Sequence, residues 1–361
     1  MIKIKVNLNE RSYPIVIGRG AVEKLLETVN SIHDIKCVVV ITDKRVEKKT
    51  AHIVRPILEK LSKVVTISVP ASEKSKSLIV FQNTIQKICR ATKKHRPLIV
   101  ALGGGVVGDL AGFVAATYRR GVPLVQIPTT LLAQVDSSIG GKVGIDLAEA
   151  KNLVGAFYQP QAVLMEPAFL KSLPIRQVRS GIAEIIKYGI IAGGTLFDFL
   201  ENKIEDVLSL EERALERVIY ECARVKAKIV EKDELDQKDV RIVLNFGHTL
   251  AHAIESAAGY SAYNHGEAVA VGMVLASEIA RGLEMLKEKE FDRIKSLIKR
   301  AGLPVCVKRV CMGGIINSYG YDKKFTSGSN RFVLPRRIGS VEVVDDIPSL
   351  LIKTVLRKYV S

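Results

Sequence analysis

Four apolar runs separated by helix-length segments constrain the first half of this chain. They are KCVVVITD (36–43), KVVTISVP (63–70), PLIVALGGG (97–105) and PLVQIPTT (123–130). Runs without polar alternation suit strands buried on both faces, as in a parallel sheet. Helical patterns lie between the later runs, at 76–92 and 108–118. This βαβ order predicts a Rossmann-like α/β domain, an open parallel sheet with helices on both faces. The opening MIKIKVNLNE alternates as a strand and has no signal-peptide core.

The second half changes character. Helical periodicity covers 175–192, 195–207, 210–231, 241–258, 265–285 and 288–301, and strand-like runs are few, chiefly RFVLP (331–335) and SVEVVD (340–345). The chain of 361 residues is long enough for two domains with their own cores. The boundary is expected near 170, where FLKSLP closes the α/β part, giving an α/β domain over 1–170 and a mainly helical domain over 171–361.

Composition narrows the function. Five scattered cysteines, an odd number, argue against a disulfide framework and for a reducing compartment, so a cytoplasmic protein is expected. The apolar stretch from Pro97 to Tyr118 is interrupted by five glycines and Asp109, which fits strand, turn and helix better than a membrane span. The net charge is +16, which suits nucleic acid, an anionic membrane or an anionic small substrate. Aromatics make up only 6 %, tryptophan is absent, and no basic stretch interleaves with aromatic residues as base-stacking platforms require. An anionic small substrate is the expectation, with no nucleic acid and no membrane partner.

GGGVVGD (103–109) carries the pattern GxGxxG at Gly103, Gly105 and Gly108, after a strand and at the start of a helix. In that context glycines let backbone amides approach a pyrophosphate at the positive helix end. The motif sits on the third strand and no acidic residue follows at the usual spacing of about twenty. A bound dinucleotide therefore needs a variant arrangement, and a tight turn without ligand is the plain alternative. Residues 127–157 mix Thr129, Thr130, Asp136, Lys142, Lys151 and Asn152 with glycines, and read as a long functional loop at the carboxyl ends of the strands.

In RIVLNFGHTLAHAIE (241–255), helical spacing puts Arg241, Asn245, His248, His252 and Glu255 on one polar stripe between apolar residues. Buried polar groups must be paired or bind a ligand, so the stripe reads as an active-site wall or as a face turned to water. SGIAEIIKYGII (180–191) sets Glu184 and Lys187 on one face of another apolar helix, and three of the six histidines (His248, His252, His265) fall within eighteen residues. A carboxylate and imidazoles suit Zn²⁺ with three protein ligands and an open position. Spacing alone favours His248 and His252 as a ligand pair. His265 precedes a helix, where the dipole disfavours its protonation.

Together these segments resemble the 3-dehydroquinate synthase family over essentially the whole chain. The resemblance rests on GGGVVGDLAGFVAATYRRG, QIPTTLLAQVDSSIGGKVGID, KNLVGAFYQP, GIAEIIKYG, NFGHTLAHAIE, HGEAVAVGM and DKK, in family order. It implies the dehydroquinate synthase-like fold, a homodimer, NAD, and Zn²⁺ or Co²⁺. The implied metal ligands are Glu184, His248 and His265. NAD is implied to contact Asp43, Glu73, Lys76, Gly104, Gly105, Val106, Asp109, Thr129, Thr130, Lys151, Phe169 and Ser172. The substrate is implied to contact Arg120, Asp136, Lys142, Asn152, Lys187, Lys226, Arg241, Asn245 and Lys323 or Lys324. His252 stands where the family has its proton-transfer histidine, and the implied catalytic set adds Lys142, Asp136, Lys187, Arg241 and Asn245.

The implied reaction converts 3-deoxy-D-arabino-heptulosonate 7-phosphate into 3-dehydroquinate and phosphate in the shikimate pathway. It comprises NAD-dependent oxidation, phosphate elimination, reduction, ring opening and an intramolecular aldol closure. Alternatives are another sugar phosphate cyclase and an NAD-dependent polyol dehydrogenase of the same superfamily. Three positions depart from the family pattern: Arg45 where Asn is usual, Asp236 closing a D-E-x-E motif, and one extra residue before Arg241.

Overall fold

The computed structural model describes residues 1–61, 63–93, 95–147, 151–260, 262–321 and 330–361. The chain forms two compact units. The first holds Met1–Pro174 and Leu215–Leu235, the second Ile175–Ala214 and Asp236–Ser361.

The first unit contains strands β1 (Ile2–Val6), β2 (Tyr13–Ile17), β3 (Cys37–Asp43), β4 (Val64–Val69), β5 (Pro97–Gly103), β6 (Leu124–Pro128), β7 (Lys142–Ile145), β8 (Val154–Phe157) and β9 (Ala162–Met165). Its helices are α1 (Lys24–Ser31), α2 (Lys44–Leu58), α3 (Leu78–Thr92) and α4 (Gly105–Thr117). Seven strands form one sheet in the order β1-β2-β9-β6-β5-β3-β4, parallel except for the β1–β2 pair. The four apolar runs are β3 to β6. The sequence reading missed β2 and β9, which are short and carry no periodic signal of their own.

Strands β3, β5, β6 and β9 are buried along their whole length. One face of the sheet packs on α3 and α4 through Ile88, Leu110 and Val114, and the other on α1 and α2 through Leu25, Val54 and Ile57. Burial on both faces explains why these strands do not alternate. The chain runs from β3 outward to β4, then crosses to β5 and on to β6, so connections leave β3 and β5 in opposite directions. Their carboxyl ends form a topological switch point, where ligands of open α/β sheets bind. Asp43 and Gly103 end these two strands.

Residues 127–157 are not one loop. They contain a π-helical turn (Ala133–Ser137) and the antiparallel hairpin β7–β8. The stretch 215–235 belongs to the first unit although its periodicity is helical, and its end makes polar contacts with that unit. Glu231 accepts from the Asn7 backbone at 2.7 Å and Glu234 pairs with Arg11 at 2.8 Å. These contacts bridge more than two hundred residues of sequence, which local pattern cannot reveal.

The second unit is mainly helical: α5 (Ile175–Ala192), α6 (Thr195–Leu208), the first residues of α7 (Glu212–Lys232), α8 (His248–Ala257), α9 (His265–Gly282), α10 (Glu288–Arg300), α11 (Met312–Tyr321) and α12 (Ser349–Tyr359). An antiparallel hairpin, β10 (Arg331–Arg337) and β11 (Ser340–Asp345), completes it among the described residues. The α9 helix is buried from Ala268 to Ala280 and forms its centre. No helix among the described residues is long and apolar enough to cross a membrane.

The expected helix over 241–258 is broken. Arg241–Asn245 form a 3₁₀ turn, Phe246 leaves the helical region at ψ 125°, and Gly247 adopts φ +78° before α8 begins. A side chain is strained at that φ, and a Cβ on Gly247 would lie 2.7 Å from Met273. The polar stripe is therefore two pieces, with Arg241 and Asn245 on one and His248, His252 and Glu255 on the other.

Candidate active site

In the first unit, α4 starts at Gly105, three residues earlier than the pattern suggested, with Gly104 as its N-cap. The first-turn amides, including those of Gly105 and Val106, have no intrahelical acceptor and point out of the carboxyl end of the sheet. A Cβ on Gly104 would meet Thr130 Cγ2 at 2.9 Å, and one on Gly105 would meet Ser137 Oγ at 3.0 Å. Thr129 donates its backbone N–H to Gly103 O at 2.9 Å, while its buried Oγ1 has no partner among the described residues. Free helix amides, a backbone stripped of side chains and an orphaned hydroxyl fit the diphosphate of a dinucleotide.

Around this turn the structure gathers several candidates and gives some of them other tasks. Asp43 caps α2, its Oδ1 accepting from Arg45 and Val46 at 2.8 and 3.0 Å. Phe169 is buried in the core beneath α1 and α2, so its ring faces away from solvent. Ser172 gives its hydroxyl to Phe169 O, and its carbonyl accepts from Lys49. Thr130 Oγ1 accepts from Ala133 N–H at 3.2 Å, fixing the π-helical turn.

Lys76 is the centre of this region. Its side chain is only 4 % exposed, and its ammonium donates to Asp109 Oδ2 at 2.8 Å and to Asn152 Oδ1. The Lys76 carbonyl accepts from Asp146 N–H, whose Oδ1 accepts from Asn152 N–H. Burial opposes the Lys76 charge, but Asp109, Glu73 and Asp146 outweigh it and raise its pKa. Burial pushes the Asp109 carboxyl up, against the pull of Lys76. Lys151 lies 3.9 Å from Glu73. Asp146 was not among the sequence candidates; its position after Lys142 in GKVGID was the only hint.

Among substrate candidates, Asp136 and Lys226 form an ion pair at 2.6 Å, and Lys226 also donates to the Asp136 carbonyl. Lys142 opens β7 and is exposed, its ammonium 6.0 Å from the Phe157 ring centre. Arg120 does not join this group. It follows the last turn of α4, at the opposite end from Gly105. Thirteen helical residues put about 20 Å between those ends.

In the second unit, Glu184 and Lys187 lie in the buried middle of α5. Gly266 packs so tightly on α5 that a Cβ would lie 2.3 Å from Ser180 Cα, and its N–H donates to Ser180 Oγ. This contact sets His265, the first residue of α9, beside Glu184. The α9 start is fixed by a capping box of Asn264 and Glu267, with Arg176 paired to Glu267 at 2.6 Å.

Glu184 Oε1 lies 3.2 Å from His265 Nε2 and 3.4 Å from His248 Nε2, and Oε2 pairs with Lys187. Burial opposes the Glu184 charge, but Lys187 and the two imidazoles hold its carboxyl well below the usual range. Burial and Lys187 push His248 down. Burial also opposes protonation of His265, but bonds to Glu184 and Glu255 raise it to about 10, against the expectation from its place at the start of a helix.

One oxygen and two nitrogen atoms of Glu184, His248 and His265 lie within 4.8 Å of one another. A hard oxygen with two imidazoles fits Zn²⁺ or Co²⁺ with a position left for substrate. His252 stands outside this group. It is exposed one turn along α8, its ring 5.6 Å from that of His248 in an edge-on arrangement. Arg241 is buried and Asn245 half-buried in the preceding 3₁₀ turn. Lys323 and Lys324 lie outside the described residues.

The fold that carries this glycine turn and this Glu–His–His cluster is shared with solved synthases bound to NAD⁺ and Co²⁺ or Zn²⁺. One is a 2-deoxy-scyllo-inosose synthase complexed with carbaglucose-6-phosphate, NAD⁺ and Co²⁺ (TM-score 0.89, 26 % identity, 99 % of this chain and 100 % of that one). Another is the 2-epi-5-epi-valiolone synthase of Streptomyces hygroscopicus subsp. jinggangensis with NAD⁺ and Zn²⁺ bound (TM-score 0.88, 26 % identity, 98 % of each chain).

Sequence relatives narrow this class. Family models match for the 3-dehydroquinate synthase N-terminal region over residues 66–180 and the C-terminal region over 181–325. The 3-dehydroquinate synthase of Desulforamulus reducens is 44 % identical over 355 residues, covering 98 % of this chain and 99 % of the relative. The chain belongs to the 3-dehydroquinate synthase family.

Proposed function

We propose that this chain forms 3-dehydroquinate from 3-deoxy-D-arabino-heptulosonate 7-phosphate, using NAD and Zn²⁺ or Co²⁺ held by its own residues. The observation that carries the reading is the Glu184–His248–His265 cluster with Lys187 against its carboxylate. A 44 % identical relative of nearly equal length is named for this reaction, whereas the solved synthases with other names stand at 26 %.

Glu184, His248 and His265 hold the metal, and the first-turn amides of α4, with Thr129, hold the cofactor diphosphate. When bound, the cofactor would supply hydride exchange and the metal would polarise the substrate hydroxyl and carbonyl oxygens. Lys142, Lys187, Lys226, Arg241 and Asn152 bind and orient the substrate's carboxylate and phosphate. Asp136 holds the Lys226 ammonium in place, and Asn245 orients substrate beside Arg241. His252, exposed and one turn from a ligand, is placed to move protons without binding metal. Arg120 stands at the far end of α4, so its substrate contact is assigned to a second copy in a homodimer. The free cysteines accord with a cytoplasmic enzyme.

The test is a product assay with heptulosonate 7-phosphate against other sugar phosphates, scoring phosphate release, carbocycle formation and NADH. Stoichiometric phosphate and 3-dehydroquinate without NADH build-up are expected. NADH rising in step with product would mark a polyol dehydrogenase, and preference for another sugar phosphate a different cyclase.

A further inference from the structure

The buried face of α8 carries an acidic group that these roles leave unused. Glu255 lies two turns beyond His248, on the same helical face. It is 6 % exposed, and its Oε1 stands 3.6 Å from His265 Nδ1. The other ring nitrogen of His265, Nε2, faces Glu184 Oε1 at 3.2 Å. His265 is thus held between two carboxylates, one at each ring nitrogen. His248 has the same polarity with a different partner. Its Nε2 faces Glu184 Oε1 at 3.4 Å and its Nδ1 lies 3.1 Å from the Phe246 carbonyl. Both imidazoles turn Nε2 toward one oxygen and Nδ1 toward an acceptor outside the cluster.

We propose that Glu255 is a positioning residue for the metal centre, accepting the Nδ1 proton of His265 and so fixing Nε2 as the metal-binding atom of that ligand. The proposal rests on the ligand reading above. An acceptor on the far nitrogen of a ligating histidine fixes its tautomer and ring orientation and raises its basicity. The present separation is that of an ion pair, and a closer approach of about 0.6 Å gives a hydrogen bond. His248 obtains this support from the local backbone at Phe246. His265 opens its helix and has no preceding turn to supply a carbonyl, so a side chain from α8 takes that place.

The test measures Zn²⁺ affinity by chelator competition on the metal-free full chain, together with the visible absorption of the Co²⁺ form. Glu255→Gln keeps the shape and removes the charge; Glu255→Asp keeps the charge. Zn²⁺ binding is expected to weaken about 10–100-fold in Glu255→Gln, with a shifted Co²⁺ spectrum, unchanged melting of the metal-free protein, and partial recovery in Glu255→Asp. A folded Glu255→Gln with wild-type Zn²⁺ affinity and Co²⁺ spectrum overturns the proposal. If the variants do not fold, the ¹⁵N shifts of His265 in the wild-type Zn²⁺ protein decide. Metal on Nε2 with a bonded proton on Nδ1 supports the role, and metal on Nδ1 overturns it. Zinc loss in His265→Ala beside a normal Glu255→Gln overturns only this inference, whereas zinc retention in His265→Ala overturns the ligand reading itself.

Discussion

The Lys76 ammonium lies 2.8 Å from Asp109 Oδ2, which ties the segment after β4 to the second turn of the helix that starts at the glycine loop. The same ammonium reaches Asn152, which has a left-handed backbone at φ +54°. One buried cation therefore organises residues assigned to the cofactor and a residue assigned to the substrate. Lys76→Met leaves Asp109 partly buried without its partner. It should destabilise the fold by about 2 kcal/mol, below the range for a fully buried pair because the Asp109 side chain is 23 % exposed. Urea unfolding of Lys76→Met, Asp109→Asn and the double variant checks this. A double variant costing less than the sum of the singles is expected for a coupled pair, and strict additivity would argue against it.

A Cβ on Gly105 would sit 3.0 Å from Ser137 Oγ, so the serine hydroxyl must give way by a few tenths of an ångström. A valine adds two further methyl groups over the amides proposed to hold the diphosphate. Gly105→Val should fold and lose NAD affinity by at least tenfold in isothermal titration. Wild-type affinity in a folded variant would remove this turn from the cofactor site.

Continuous apolar runs announced β3, β5 and β6 because a strand buried on both faces leaves no other pattern, while β4, at the sheet edge with Thr66 exposed, showed through its β-branched run. Strands β2 and β9 escaped because runs of five and four residues are too short to show a period. The helix over 241–258 was misjudged because apolar spacing runs through Gly247 unbroken, while its φ of +78° ends the helix. Spacing also pointed to His248 with His252, whereas the structure brings His248 to Glu184 and His265 from two other helices. Such convergence has no local signature; the family resemblance carried it. The tasks of Asp43 as a cap and Phe169 as core were likewise invisible without the packing around them.

Glu278 in α9 holds the C-terminal helix. It accepts from Arg281 at 2.6 Å, Lys358 at 2.8 Å and the Tyr359 hydroxyl at 3.0 Å. Burial alone would raise its pKa, but these donors outweigh it and hold the carboxyl below the ordinary value of 4.5. A carboxyl lowered on folding stabilises the native state above its unfolded pKa and loses that contribution as pH falls through the folded one. Glu278→Gln should therefore cost about 1–2 kcal/mol at pH 7, at the low end for charged hydrogen bonds because Arg281 and Lys358 are partly exposed. The gap between wild type and variant should close as pH falls below 4.5. Denaturant titrations from pH 7 to pH 3 measure it, and a gap that stays constant would show that the carboxylate charge is not what α12 depends on.

His265 and His252 should separate cleanly by metal content. His265 Nε2 lies 3.2 Å from the carboxylate oxygen that also faces His248, and all three groups can reach one ion. His252 is exposed and outside that cluster. Removing a ligand from a three-residue site should release the metal, while removing a proton-transfer group should leave it bound and slow turnover about 10²–10⁴-fold. His265→Ala is expected to emerge from dialysis without stoichiometric zinc, and His252→Ala to retain zinc and turn over slowly. Atomic emission on both proteins, beside steady-state rates, makes the comparison. A zinc-free His252→Ala with a loaded His265→Ala would restore the simple i,i+4 pair in α8 and displace the three-helix site.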